Sequence, residues 1–254
     1  MMTKSASAFL FSMVSFLSLA GASAAQTVSE GQGEGGATRH VFAVSWQPGF
    51  CAISGNRPEC RELAAGGAEA SRFSLHGLWQ VRRSYCGIDA QLQRRDRSGN
   101  WNELPKLALS EGTAKRLAVA MPGVKSGLDR HQWLRHGTCQ ASTAEDYFAR
   151  SLDMLDVMNA SVVRALFEQR IGGQLTIQEV REAFDQTFGP GAGERVRLQC
   201  RRSGERQVVT GLTVGLGGID AGADDFGGLV HQAAATRTRC SGGEVRGVAD
   251  RQNL

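Results

Sequence analysis

Two short segments of the chain hold three of its five histidines. The first is FSLHGLWQ, residues 73–80, and the second is HQWLRHGTC, residues 131–139. Each segment places a histidine beside a tryptophan and a glycine. Histidine is the side chain whose unperturbed pKa lies nearest neutrality, so it suits proton transfer at ordinary pH. The two segments therefore predict the two halves of one acid–base site.

The residue types in these segments match the needs of RNA cleavage through the 2′-hydroxyl. That reaction requires a base for the 2′-hydroxyl, an acid for the departing 5′-oxygen, and groups that stabilise a charged, phosphorane-like transition state. Two histidines in opposite protonation states supply the base and the acid without a metal. The candidates for all of these roles are His76, His131, Gln132, Arg135 and His136.

Two other kinds of catalytic site fit these residues poorly. A zinc protease motif places two histidines four residues apart with a glutamate between them. His131 and His136 are five apart, about 140° around a helix, and no glutamate separates them. A cysteine hydrolase would use Cys139, but a disulfide-bonded cysteine is not a nucleophile. We therefore predict no metal and no cofactor.

The tryptophans of the two segments, Trp79 and Trp133, have two interpretations. Aromatic faces stack on bases in proteins that hold single-stranded nucleotides. Large aromatic side chains also fill cores. Core packing is favoured for Trp133, whereas the two interpretations are balanced for Trp79. Both residues stay candidates for substrate binding.

The N-terminus has the features of a secretory signal. Lys4 precedes an apolar run from Ala8 to Ala20, and small residues follow it. We predict a signal peptide over residues 1–25 and a flexible segment over 26–39, so the protein is expected to be secreted or periplasmic. A membrane anchor is the alternative, but the run is short for a membrane span.

The cysteines agree with export from the cytoplasm. The mature chain holds all six, and an exported chain with an even number of cysteines is expected to form disulfides. A zinc site is the alternative, but no pair of cysteines has the CxxC spacing. The composition, with 41% hydrophobic and 21% charged residues and a net charge of +4, is that of a globular protein and is compatible with an anionic partner.

The remaining pattern predicts the elements that position the two segments. β-rich runs predict strands at 40–46 and 72–79 and a late hairpin of 195–200 with 207–216. Helices are predicted after the capping residues Ser110, Thr143 and Thr176, and over 162–171. Residues 86–101 are predicted to form a long loop. Strands at both ends with helices between them predict an α+β single domain with a central, largely antiparallel sheet and helices packed on it.

The two segments resemble the signatures of the ribonuclease T2 family, which are usually written HGLWP and HEWxKHGTC. Here they stand as HGLWQ (His76 to Gln80) and HQWLRHGTC (His131 to Cys139). Residues 45–51, SWQPGFC, also resemble the first-strand segment of that family. The likeness runs from about His40 to Cys240, and residues 40–254 are expected to form the catalytic domain.

The resemblance implies a role for each site residue. His136 would be the general base, His76 the general acid, and His131 a phosphate contact. Arg135 stands where the family has Lys, and Gln132 stands where it has Glu; both positions are held to stabilise the transition state. The implied activity is that of a metal-independent endoribonuclease of low base specificity. It would be a monomer with no membrane partner, and it would yield 2′,3′-cyclic phosphates and then 3′-phosphates.

The resemblance also bears on the disulfides and on the level of activity. We predict the pairs Cys51–Cys60, Cys86–Cys139 and Cys200–Cys240; the last fits a late disulfide of the family. Gln132 lacks the family's negative charge, which would raise the pKa of neighbouring histidines. A changed rate or pH optimum is therefore expected. The competing hypothesis is a catalytically weakened relative that binds RNA.

Overall fold

The strands predicted at the two ends of the chain meet in one sheet. Strand β1 (His40–Trp46) pairs antiparallel with β2 (Phe73–Gln80) on one side and with β5 (Arg206–Leu216) on the other. Strand β4 (Val196–Ser203) pairs antiparallel with the far side of β5. Strands β3 (Gln174–Thr176) and β6 (Gly242–Glu244) extend the sheet, and β6 meets β5 in parallel. The predicted α+β fold with a largely antiparallel central sheet is therefore confirmed. The computed structural model describes residues 1–2, 36–63, 67–219 and 225–249.

One face of the sheet is buried against helices. The alternation of strand side chains places Phe42, Val44 and Trp46 on this face. Trp46 packs on Phe73 of β2 and on Phe167, with ring centroids 5.9 and 5.4 Å apart. These aromatic contacts join the first two strands to the helical layer.

Most helices lie between β2 and β4 in the chain. The helices are α1 (Gln47–Ile53), α2 (Pro58–Arg61), α3 (Ala90–Arg97), α4 (Glu111–Ala120), α5 (Leu128–Arg135), α6 (Ala144–Ala160), α7 (Val162–Gln169), α8 (Ile177–Phe188) and α9 (Phe226–His231). The side chains of Ser110, Thr143 and Thr176 accept hydrogen bonds from the first turns of α4, α6 and α8. The three capping predictions are therefore confirmed.

The prediction of a long loop over residues 86–101 was wrong. Asp89 accepts hydrogen bonds from the backbone N–H groups of Gln91 and Leu92 and so begins helix α3. A single 3₁₀ turn, Trp101–Glu103, follows. The polar, arginine-rich composition concealed a helix of which only one side chain, Asp96, is buried.

The predicted disulfides Cys51–Cys60, Cys86–Cys139 and Cys200–Cys240 are all present. The predicted signal peptide and flexible segment fall almost wholly on residues 3–35, which lie outside the described residues. The boundaries of the catalytic domain stay a prediction. Within the described ranges, no helix combines the length and apolar character needed to cross a membrane.

Tyr147 of α6 joins the helical layer to the end of β2. Its side chain is buried, its hydroxyl donates to the carbonyl of Leu78 (3.0 Å), and it accepts from the N–H of Leu78 (3.1 Å). Tyr147→Phe removes the hydroxyl that accepts from the buried N–H of Leu78, while the Leu78 carbonyl still accepts from Gln140 Nε2 (2.7 Å), so we expect it to lower the free energy of unfolding by about 1–3 kcal/mol. Urea denaturation measures this. Val119→Ala, on the exposed surface of α4, should stay within about 0.5 kcal/mol of wild type. If both variants unfolded at the same urea concentration, the Tyr147 hydroxyl would not have the stabilising role that we assign to it.

Candidate active site

One strand and one helix bring the predicted catalytic residues together. His76 lies at a bulge of β2, since Ala43 of β1 pairs with Gly77 and Val44 pairs with Leu75, which leaves His76 without a partner residue in β1. His131, Gln132 and Arg135 lie on α5, and this helix ends at His136, whose backbone is no longer helical. The five candidates from two distant segments therefore share one region of the fold.

The direct link between strand and helix is a hydrogen bond from the Trp79 indole N–H to Gln132 Oε1, 2.9 Å long. Gln132 is 1% exposed. This approach requires glycine at position 77, because a Cβ there would lie 2.0 Å from Gln132 Oε1. Gly137 has a similar role on the helix side, since its Cβ would lie 2.4 Å from the Trp133 ring. The glycines of the two motifs thus permit close packing of the site.

The Trp79 ring contacts both the proposed acid and the proposed base. Its ring centroid is 5.6 Å from that of His76 and 5.6 Å from that of His136. The ring centroids of His136 and His131 are 6.2 Å apart. The tryptophan thus positions both histidines, and its stacking on a base stays a prediction.

Trp133 and Arg135 occupy opposite sides of α5. Trp133 is half-buried and packs against the core, with its ring centroid 6.2 Å from that of Tyr147. Contact of Trp133 with substrate stays a prediction. Arg135 is exposed, and its guanidinium carbon lies 5.8 Å from the centre of the Tyr85 ring. Arg135 therefore places a cation at the rim of the site.

Burial and the repulsion of neighbouring positive charges favour the neutral forms of His76 and His136. Burial, with the charge of His131, lowers the pKa of His76 to about 4. Burial, with His131, Arg135 and His76, lowers the pKa of His136 to about 3. The buried Nδ1 of His136 has no hydrogen-bond partner among the described residues, so no acceptor at that nitrogen stabilises the imidazolium. A site with these properties favours an anion, because a negative charge reverses the repulsion.

Comparisons with known proteins agree with this arrangement. The profile of the ribonuclease T2 family matches residues 38–222, a range that contains both histidine segments. The chain belongs to the ribonuclease T2 family. It is accordingly an endoribonuclease, as its sequence resemblance implied.

Individual relatives of this T2 ribonuclease are distant in sequence. It is 26% identical to ribonuclease I of Escherichia coli K12 over 186 residues, which are 64% of this chain and 69% of that one. The fold matches that of the SF11-RNase of Nicotiana alata with a TM-score of 0.51 at 12% identity, covering 82% of this chain and 99% of the other. A variant of ribonuclease MC1 from bitter gourd seeds matches with a TM-score of 0.50 at 18% identity, covering 82% and 98%.

In this T2 ribonuclease, His131 has a buried partner that the sequence analysis missed. Asp96 of α3 is 2% exposed, and its carboxylate oxygens lie 2.8 and 3.0 Å from His131 Nδ1. The Tyr85 hydroxyl donates to the same carboxylate at 2.6 Å. Trp101 stacks on the His131 ring, with centroids 4.2 Å apart. Because Nδ1 donates to Asp96, Nε2 of His131 is the nitrogen left for a ligand.

These partners belong to the segment that was predicted to be a loop. Asp89 followed by a run of helix-forming residues was a signal for α3, but no local pattern indicates that Asp96 faces His131.

Tyr85 also has a left-handed backbone (φ 55°), which costs about 1–3 kcal/mol for a bulky residue. The bonds of Tyr85 to Asp96 and to the carbonyl of Arg135 (2.9 Å), next to the Cys86–Cys139 bridge, hold it there.

Asp96→Asn tests whether this carboxylate sustains the charge of His131. Burial lowers the pKa of His131, and Asp96 opposes that shift. The substitution should lower the pKa further, as measured by NMR titration of the His131 ring. The imidazolium form of His131 is then less populated and binds the substrate phosphate less well. We expect kcat/KM for RNA to fall roughly tenfold or more, mainly through a higher KM. This size follows because a hydrogen bond to a charged group contributes about 1.5–3 kcal/mol.

The matched control is Glu103→Gln, which removes an exposed carboxylate from the turn that carries Trp101. It should leave both the His131 titration and KM unchanged. An Asp96→Asn enzyme with the wild-type titration of His131 would show that the carboxylate has only a packing role.

Proposed function

We propose that this T2 ribonuclease cleaves single-stranded RNA by transesterification through the 2′-hydroxyl, without a metal. The observation that carries the proposal is that the rings of His76 and His136 each lie 5.6 Å from the Trp79 ring, and that both histidines have a pKa well below the usual value. Two imidazoles that share one repulsive site favour one proton between them, as an acid–base pair requires.

The proposed reaction uses each histidine once. His136 takes the proton of the 2′-hydroxyl, and the 2′-oxygen forms a bond to phosphorus. The bond from phosphorus to the 5′-oxygen breaks, and His76 gives its proton to that oxygen. The products are a 2′,3′-cyclic phosphate and a free 5′-hydroxyl. With the roles exchanged, His76 activates a water that opens the cyclic phosphate to a 3′-phosphate.

Three groups are available to stabilise the charge on the phosphate oxygens. His131 can donate from Nε2 in its protonated form, which Asp96 favours by accepting from Nδ1. Gln132 can donate from its amide nitrogen because Trp79 already binds Oε1. Arg135 supplies a permanent positive charge at the rim. Donors aimed at developing charge in a partly desolvated site are the main source of rate enhancement in such reactions.

Two cavities beside His76 support a substrate that extends on both sides of the scissile bond. One, of about 220 Å³, includes Arg57, Glu59 and Trp101. The other, of about 450 Å³, has His76 and Trp79 at one end, where a flanking nucleotide would bind, and continues across the sheet. The ribonuclease MC1 variant that shares this fold was solved in complex with 5′-UMP. Bases in single-stranded RNA are free to enter such cavities, whereas those in a duplex are not.

We also propose that the protein acts as a monomer after export, in a secreted or periplasmic form with no membrane partner. Three disulfides support an oxidising compartment. The predicted signal over residues 1–25 would direct the export.

Digestion of RNA in the presence of EDTA tests the reaction. Wild type should stay active and release 2′,3′-cyclic phosphates, detected by phosphorus NMR. His76→Ala and His136→Ala should each lose roughly 10²–10⁴-fold in kcat, the usual contribution of a general acid or base. Equal activity of these variants and wild type would defeat the proposed roles. Loss of wild-type activity with EDTA, restored by a divalent ion, would defeat the metal-free reaction.

The pH profile tests the electrostatics of the pair. As pH rises, kcat/KM should increase while His136 loses its proton and decrease while His76 loses its proton. With pKa values of about 3 and about 4, the free enzyme should have an acidic optimum. The optimum for kcat should lie at higher pH, because a bound phosphate anion raises both values. A kcat/KM that still increases above neutral pH would contradict these assignments.

Gln132→Glu tests the second candidate function, RNA binding by a catalytically weakened protein. The feature that favours this alternative is Gln132 in place of the family's Glu. A carboxylate can accept the same hydrogen bond from Trp79 and adds a negative charge beside the histidines. It should raise their pKa values, shift both limbs of the profile to higher pH, and change the rate. Gln169→Glu, at an exposed position on α7, adds equal charge and should change nothing. Identical profiles for all three proteins would refute this account of position 132.

A further inference from the structure

A groove on the open face of the sheet begins at His76 and leads away from the catalytic residues. We call it the sheet groove; it is the cavity of about 450 Å³ beside Trp79. Its floor consists of small side chains on the two central strands, Ala43 on β1 and Gly211 and Thr213 on β5. Small residues leave room for a chain to lie along the sheet.

The far rim of the sheet groove is basic. Arg197, Gln199 and Arg201 of β4 line it, and all three are exposed. The Arg197 guanidinium donates from Nε to the Thr236 hydroxyl, which holds it in place. Among the described residues that line the groove, none carries a carboxylate. The rim therefore offers two uncompensated positive charges to a polyanion.

The spacing of the strands separates this rim from the reacting phosphate. Strands β1 and β5 lie between β2 and β4, so three strand spacings, roughly 14 Å, divide His76 from the arginines. A phosphate held by the catalytic histidines is too far away to contact them. Phosphates of neighbouring nucleotides in the same RNA chain can reach them by following the groove.

We propose that the sheet groove is a second phosphate-binding surface, on which Arg197 and Arg201 bind the backbone of an RNA chain beyond the nucleotides that are cleaved. The inference rests on the proposed function and extends it to long RNA. Contacts between arginine and phosphate do not depend on base sequence, so the groove would favour polymers over short fragments without selecting bases.

The double variant Arg197→Ala/Arg201→Ala tests the groove with two substrates, polyuridylate and a uridine dinucleoside monophosphate. KM for polyuridylate should rise several-fold, while kcat/KM for the dinucleoside monophosphate should stay unchanged. The slope of log KM for the polymer against log salt should become shallower by about 1.4, because each phosphate contact on a single strand contributes about 0.7. Thermal melting confirms that the variant is folded.

Two further double variants separate local contacts from net charge. Arg202→Ala/Arg239→Ala removes the same charge from two exposed positions, one on β4 and one next to Cys240, that do not line the groove, and it should behave as wild type. Arg197→Lys/Arg201→Lys keeps the charge and should restore most of the salt slope. Equal losses in the groove variant and the Arg202/Arg239 variant, or equal losses on both substrates, would overturn the proposal.

Binding of labelled polyuridylate, followed by fluorescence anisotropy, distinguishes failure of the groove from failure of the enzyme. If wild type cleaves neither substrate, the proposed function fails, yet weaker binding by the groove variant would still support the second surface. Binding of equal strength and equal salt dependence in the two proteins would refute it.

Discussion

The site depends on the contact between β2 and α5 at Gly77. At this point the Gln132 side chain occupies the space of the missing Cβ and binds Trp79. The strand carries the proposed acid and the end of the helix carries the proposed base, so any side chain at position 77 would separate them. The Cys86–Cys139 bridge supports the contact from the other side; closing a chain loop of 53 residues stabilises the folded state by about 4 kcal/mol.

The same close packing determines the electrostatics. Once β2 and α5 meet, three imidazoles and Arg135 share a partly desolvated space, and each positive charge opposes the others. Asp96 hydrogen-bonds to Nδ1 of His131 and opposes the fall in the pKa of that histidine. His131 therefore has a partner that stabilises its positive charge, whereas His76 and His136 lose their protons easily. A phosphate anion is the ligand that relieves this repulsion.

The sequence predicted the elements that have strong local signals and missed contacts that depend on tertiary structure. Capping residues identified α4, α6 and α8, and the β-rich runs identified β1, β2 and the late hairpin. Helix α3 was missed because its exposed side chains are polar and arginine-rich, with no apolar face to reveal it. Asp96, Tyr85 and Trp101 were missed because only the disulfide and the path of the chain after Cys86 carry them to His131.

Position 132 separates geometry from charge. The Gln132 side chain accepts a hydrogen bond from Trp79 at Oε1, and a glutamate of the same length can accept that bond equally well. Replacement of the family's Glu by Gln can therefore preserve the contact between β2 and α5 while removing a negative charge from the histidines. Different atoms of this one side chain therefore set the packing and the proton affinities of the site. Oε1 binds Trp79 and so joins the strand to the helix. The second terminal atom is a neutral amide nitrogen in Gln and a carboxylate oxygen in Glu, and this difference changes the pKa values of the histidines.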